Sequence, residues 1–525
     1  MPKIVHKAYV ISDLHLGGRF PKGDDRGFRM MDRPDALAKF ISTLGERPPQ
    51  DPTIELVING DFLDFLAETE TDGTWKAFRD EPGAAVSVFR TIAGRPEDGQ
   101  VFDALAGFLD AGHRLTILLG NHDIELAWPE VRAEFERHLW ASPKKTTRAF
   151  NLRWIHDGEA LILGDALIEH GNRYDPANFV DHGRLRRVRE LRSRRLYARE
   201  EHTYHPPMGS HLVAEIMNPL KEAYPFIDLL KPESEPLIGL LLTLDPSKRS
   251  HLGRLAALVP KLPLNLTGTP ADPAFRQWIS DGAADEGIAR RTLADDGPAE
   301  DEDAALVALV ADLLPPERAA EASAVLQQIR EEGSGEGLES SDGGISRVPI
   351  SSIGDMVQPG WNLLKLLAAR RNGAIERRLS LFRQSVRALR GDQTFDDTVE
   401  TGKRYGRAAE QLGEGGGGID GGAAPPGFRF VVFGHTHHRK KIRLRNGTTY
   451  VNTGTWARLM KFPDELVSDD DAVVHQALAQ FVASIQAGTY KTEFVPTYAR
   501  IDLRDDDRVD AVELFTYDPV EGKVE

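Results

Sequence analysis

The chain has 525 residues, 41% of them hydrophobic and 28% charged, a composition that builds a globular protein with apolar material for more than one compact region. Its 65 Lys and Arg against 81 Asp and Glu leave a formal net charge of -16, which opposes nonspecific nucleic-acid binding over most of the surface. Cysteine is absent, so disulfides and thiolate metal sites are excluded and any metal must be held by oxygen and imidazole.

From the N-terminus, Met1-Pro2-Lys3-Ile4-Val5 enters the first strand within a few residues, with no charged-then-apolar leader. With the missing cysteines, this sets the expectation of a cytoplasmic protein. Ala8 to Ile11, Ile54 to Ile58 and Leu115 to Leu119 are short runs of Val, Ile and Leu that each end in a polar motif, as buried strands of an α/β core do. Between the first two, Leu37, Phe40, Ile41 and Leu44 take the spacing of a helix packed on a sheet. Val101, Leu105 and Phe108 repeat that pattern before the third strand, with Gly112 as the stop. Two further strands, Leu161 to Leu163 and Ala166 to Ile168, lead into His170.

The strand rhythm lapses between Asn172 and about Gly427, which reads as an insertion. The boundaries expected are a core of residues 1–175 and 428–525 around an insertion of residues 176–427. Good helix formers dominate residues 181–224 and 362–412, so the insertion is expected to be mainly helical. Residues 332–344 and 413–427 are rich in Gly and read as unstructured, and Glu300 to Asp303 as a solvated acidic loop. The longest apolar run, Leu237 to Leu244, is far short of the ~20 residues that span a bilayer. No transmembrane helix is expected. With Leu252 to Leu266 this run offers either an acyl-chain surface or ordinary packing, the second being the plainer reading. Strands resume at Phe430 to Phe433 and Thr449 to Val451, a helix is expected over residues 471–487, and Tyr498 to Leu503 with Val509 to Tyr517 form a closing hairpin. The turn is placed at Arg504 to Arg508.

Five motifs stand at the ends of these strands: Asp13-Leu14-His15, Gly60-Asp61-Phe62-Leu63-Asp64, Gly120-Asn121-His122-Asp123, His170-Gly171 and Gly434-His435-Thr436-His437. Loops at strand ends line the crevice of an α/β sheet, so residues far apart in sequence are expected to meet in one site. Each motif alone is a weak signal. Together, in this order, they supply carboxylate, amide and imidazole ligands enough for two cations, and that mixture suits Mn²⁺, Fe or Zn²⁺ better than Ca²⁺ or Cu(I). Two such ions can share a water, lower its pKa toward about 7 and clamp phosphoryl oxygens during in-line attack. His156 and His182 compete for the His170 position, but only His170 both follows an apolar strand directly and precedes glycine. His113 and His251 read as ordinary core or surface histidines.

The ordered series resembles the calcineurin-like metallophosphoesterase superfamily over about half of the chain. The resemblance implies a layered β-sandwich core flanked by helices. It implies a first metal held by Asp13, His15, Asp61 and His437 and a second by Asp61, Asn121, His170 and His435, with Asp61 bridging. His122 is implied to lie near the leaving-group oxygen, where it donates a proton or stabilises charge. Asp64 and Asp123 are read as orienting groups. A closer similarity links the Asp-Leu-His-Leu opening and the His-Gly followed by a helical insertion to the bacterial UDP-diacylglucosamine pyrophosphatases. Those enzymes usually carry Arg after the ligand Asn, where this chain has His122.

The function expected is hydrolysis of a phosphoester or pyrophosphate, on a phosphorylated small molecule, nucleotide or lipid phosphate. Nucleases and cyclic-nucleotide phosphodiesterases of the superfamily are the nearest alternatives, the acidic composition disfavouring DNA. A noncatalytic scaffold of the same fold is the rival from another class, and such proteins usually lose ligands. Arg173 is the cation placed best to touch substrate. Beyond it, the arginines from Arg184 to Arg199 could attract phosphate or a membrane surface, or form a salt-bridged solvated face, since a helix would spread them around its axis. Arg439-Lys440-Lys441 could support phosphate binding, with a surface turn as the default reading.

Overall fold

A computed structural model of the chain describes residues 3–19, 28–48, 52–140, 151–175, 177–196, 203–223, 225–229, 397–399, 403–415, 426–460, 463–468 and 489–525, with scattered residues from 470 to 484. The expectations for residues 237–244, 252–266, 300–303, 332–344, 362–396 and most of 471–487 lie outside these. By its internal contacts the chain divides into two compact units. One comprises Met1–Leu229, Gln393–Leu459 and Glu493–Glu525, and the other Leu230–Asp392 and Met460–Thr492. This division falls at residues 229 and 393, whereas the sequence placed the edges of the insertion at 176 and 427.

The first unit is an α/β sandwich. Strands β1 (Ile4–Ile11), β2 (Thr53–Asn59), β3 (Arg114–Leu118) and β4 (Leu152–Ile155) run parallel. A second set comprises β5 (Leu161–Leu163), β6 (Ala166–Ile168), β7 (Phe430–Phe433), β8 (Lys440–Arg443) and β9 (Thr449–Asn452), ordered β5-β6-β7-β9-β8. A short pair, β10 (Leu459–Met460) and β11 (Thr492–Glu493), precedes the closing hairpin β12 (Thr497–Arg504) and β13 (Val509–Thr516). That hairpin completes the first sheet in the order β13-β12-β1-β2-β3-β4, with β12 antiparallel to β1.

Strand alternation explains the two cores. Ala8 and Val10 of β1, Val57, Leu118, Ile168, Val432, Val451 and Ile501 fill one buried cluster drawn from both sheets, which therefore pack face to face. Tyr9, Ile11, Leu56, Ile58 and Ile117 point the other way, into a cluster shared with helices. Helix α1 (Pro34–Gly45) buries Leu37, Phe40, Ile41 and Leu44 as its spacing predicts. Phe40 meets the rings of Trp456, Tyr498 and Tyr517 at 5.1, 5.1 and 5.2 Å between centroids, tying α1 to the C-terminal hairpin.

Where a single helix was expected between β2 and β3, there are two, α2 (Pro82–Ala93) and α3 (Pro96–Asp110). Each opens on a proline in its first turn, where the missing N–H is no loss. Gly112 follows α3 with φ of 91°, as a stop residue should. Helix α4 (Pro129–Trp140), again opened by proline, and strand β4 had no counterpart in the expectation. Beyond His170 come α5 (His182–Ser193), α6 (Met208–Leu212), a π-helical turn Val213–Met217 and α7 (Asn218–Ala223). Helix α8 (Lys403–Glu414) enters the segment read as unstructured. Its Gly413 is there for close approach, since a Cβ would collide with Thr448 Oγ1. Lys440 and Lys441 belong to β8 and pair with Asn452 and Val451, so the expected surface turn is a strand. Among the described residues no helix is long and apolar enough to cross a membrane.

Candidate metal centre

Every motif sits directly beyond the C-terminal end of a parallel strand: β1, β2 and β3 in the first sheet, β6 and β7 in the second. The first two loops are stitched together by backbone bonds, Leu14 N and His15 N both donating to Asp61 O at 2.9 Å and Asp64 N to Leu16 O at 2.8 Å. The third joins through Asp123, whose carboxylate accepts Phe62 N at 2.8 Å and Gly120 N at 2.7 Å. From the second sheet, His435 N donates to both Asp13 oxygens, at 3.1 and 3.0 Å. Gly60 is needed where it stands, with φ of 81° and no room for a Cβ against the His170 ring at 2.5 Å. At Gly120 a Cβ would collide with Asp61 Oδ1.

The backbone itself marks the site. Of the non-glycine residues described with positive φ, Asp13, His15, Asp61, His435 and His437 are five, joined only by Arg195 and Asp507. Left-handed conformations at non-glycine residues cost on the order of 1–3 kcal/mol each and persist where the surroundings over-determine them.

Three buried or nearly buried groups have ligand atoms mutually within 4.8 Å: Asp13, His15 and His437; His15, Asp61 and His122; and Asp61, His170 and His435. Nε2 of His15 faces Nε2 of His437 at 3.2 Å, and Nε2 of His170 lies 3.1 Å from Asp61 Oδ2. Asn121 Oδ1 is buried with no hydrogen-bond partner, although its neighbour His122 donates its amide to Asp61 Oδ1 at 2.8 Å. Among the described residues, Asp13, Asp61 and Asp64 have imidazoles but no Lys or Arg as ion-pair partners. Converging carboxylates, imidazoles and an orphaned amide oxygen fit divalent cations.

Burial opposes ionisation of Asp61, but His170, His122 and His15 outweigh it and hold the carboxyl well below its usual range. Burial also opposes a charge on His170, and Asp61 outweighs that, raising the imidazole to about 10. Burial and the nearby Asp61 push Asp123 up to about 7. Asp64 stands 3.1 Å from His122 Nδ1 and 3.7 Å from His15 Nδ1.

The other candidates are outside the three ligand groups. Arg173 Nε is 3.4 Å from Glu169 Oε2, and its Nη2 donates to Gly158 O. On α5 the arginines form a salt-bridged face: Arg187 with Glu190, Arg189 with Asp157, Arg192 with Glu81 and Arg194 with Glu190. Leu185 is the one buried residue of that helix. His156 is held down to about 4 by burial and by Arg132 and Arg189, and His182 to about 3 by burial and by Arg173 and His156. Neither belongs to a ligand group. His113 stacks on Phe108 at 4.7 Å, with Nε2 3.2 Å from Gly45 O, a core histidine. Sequence reasoning missed Asp175, 3.1 Å from His435 Nε2, and Ser12, which donates to Asp13 and lies 2.6 Å from Thr453 Oγ1. The placement of Ser12 directly before Asp13 was the available signal.

Residues 6–228 match the family model described as calcineurin-like phosphoesterase. No curated protein and no solved structure matches the chain. With the five motifs at the strand ends of a two-sheet α/β core, this match makes residues 6–228 similar to the calcineurin-like phosphoesterases.

Proposed function

We propose that this chain is a phosphohydrolase working with two divalent cations, one held by Asp13, His15, Asp61 and His437 and the other by Asp61, Asn121, His170 and His435. The observation that carries this reading is the presence of Asp61 in two of the buried ligand groups, beside an Asn121 oxygen that bonds to nothing else. When bound, Mn²⁺, Fe or Zn²⁺ would supply an activated water and neutralise the phosphoryl oxygens.

The remaining work falls to the chain. His122 is aimed by Asp64, whose Oδ1 lies 3.1 Å from its Nδ1, leaving Nε2 to hand a proton to the leaving-group oxygen. Asp64 is itself fixed by the Ala67 amide at 3.1 Å. Asp123 binds the second and third loops together and keeps Asn121 and His122 in register with Asp61. Arg173, with its side chain 31% exposed, is the cation we assign to the outer charge of a phosphorylated small molecule, nucleotide or lipid phosphate. The test is hydrolysis of an aryl phosphate and an aryl phosphodiester with added Mn²⁺. Turnover by the wild type that vanishes in Asp61→Asn and His437→Ala is expected, and equal rates in all three would overturn the proposal.

A further inference from the structure

Five residues past His170 the chain returns to the site. Through the turn Asn172–Tyr174 it brings Asp175 to His435, with Oδ2 standing 3.1 Å from Nε2. The carboxylate is anchored independently of that histidine. Its Oδ1 accepts the Ala177 amide at 3.0 Å, and its Oδ2 accepts the side-chain amide of Asn178 at 2.8 Å. Asn178 O in turn accepts Nδ2 of Asn172 at 2.9 Å, and Ala177 O accepts the Gly209 amide at 2.7 Å.

An ionised carboxylate only accepts, so the proton of the pair sits on His435 Nε2 and the lone pair of the ring is left at Nδ1. His170 is oriented the other way round, its Nδ1 donating to Asn59 O at 2.8 Å and its Nε2 facing Asp61. We infer that Asp175 is the positioning residue of His435, fixing its tautomer and ring so that Nδ1 serves the cation shared with Asp61, Asn121 and His170. This inference rests on the two-cation reading above. Residues 170–178 then set two ligands of one cation, His170 directly and His435 through this bond. Partners of this kind are worth about 10–100-fold in metal affinity.

The test is a Mn²⁺ titration of metal-depleted wild type, Asp175→Asn, His435→Ala and the double variant, read by bound-metal analysis and by the exchange-coupled EPR signal of a Mn²⁺ pair. Wild type should take up two ions. Asp175→Asn should bind the first as before and the second ~10–100-fold more weakly, with the coupled signal giving way to that of an isolated ion. Because Asp175 acts through His435, the double variant should bind no worse than His435→Ala. An unchanged second affinity in Asp175→Asn, or a further loss in the double variant, would overturn the inference. A wild type that binds fewer than two ions would instead overturn the two-cation reading. Should Asp175→Asn fail to fold, Asp175→Ser keeps an acceptor for the Ala177 amide but cannot reach His435. It should show the same weakened second site, and wild-type affinity there would count against the inference.

Discussion

The two sheets bring different chemistry to the site. The first, through the ends of β1, β2 and β3, contributes Asp13, His15, Asp61, Asn121 and His122, and so every carboxylate of the proposed ligand set. The second, through β6 and β7, contributes His170, His435 and His437, which are imidazoles alone. In the proposed allocation neither ion is served by one sheet: one draws His437 across to Asp13, His15 and Asp61, the other draws His170 and His435 across to Asp61 and Asn121. In that allocation, holding metal and holding the sandwich closed would be a single equilibrium, and left-handed φ occurs on both sides of it, at Asp13, His15 and Asp61 and at His435 and His437.

The sharpest way to break this comparison is to remove the residue both ions share. Asp61→Asn should drop aryl phosphate turnover to background and abolish binding of both ions in a Mn²⁺ titration. His122 comes next. His122→Ala should lower kcat by ~10²–10⁴-fold, the range for a positioned general acid, with two ions still bound. Loss of metal in that variant would move His122 into the ligand set, where one of the buried groups already places it geometrically.

Coupling between the sheets predicts a stability effect. Mn²⁺ at about 100 times the Kd of one site should stabilise the fold by about 2.7 kcal/mol, read as a rise in unfolding midpoint. His437→Ala, on the second sheet, and Asp13→Asn, on the first, should each erase a comparable share. If only one of them does, the sheets are not joined by metal. The smallest effect is expected outside the comparison, on α5: Arg187→Ala should leave Mn²⁺ binding and turnover unchanged and shift stability by no more than ~0.5 kcal/mol.

Much of this site was legible because its residues are polar and stand at the ends of apolar runs. Ile54 to Ile58 stops at Asn59-Gly60-Asp61, and Phe430 to Phe433 at Gly434-His435, so each motif announced its place on a strand. The glycines in these motifs were visible as motif members, but not as contact points against His170 or Asp61. What failed to register was structure whose cause is tertiary. Strand β4 is recognisable by its pairing with β3, and β8 by lying against β9, which overrides the solvated look of Lys440 and Lys441. Helices α2 and α4 were within reach, since Pro82 and Pro129 mark first turns, but the apolar spacing that follows Pro129 is interrupted by charge. Asp175 could not be found from spacing, because its partner His435 lies 260 residues further along the chain.

The seating of β1 between β2 and β12 has a consequence for biosynthesis. Val10 pairs with Val57 on one side and with Ala499 on the other. At roughly 5–20 residues per second on the ribosome, the second partner emerges on the order of a minute after the first. During that interval the nascent chain holds an open strand edge beside the Asp13 loop, the kind of edge that recruits a neighbouring polypeptide. Products terminated before β12 are therefore expected to be less soluble than the full chain, as a sedimentation assay of truncated products would read.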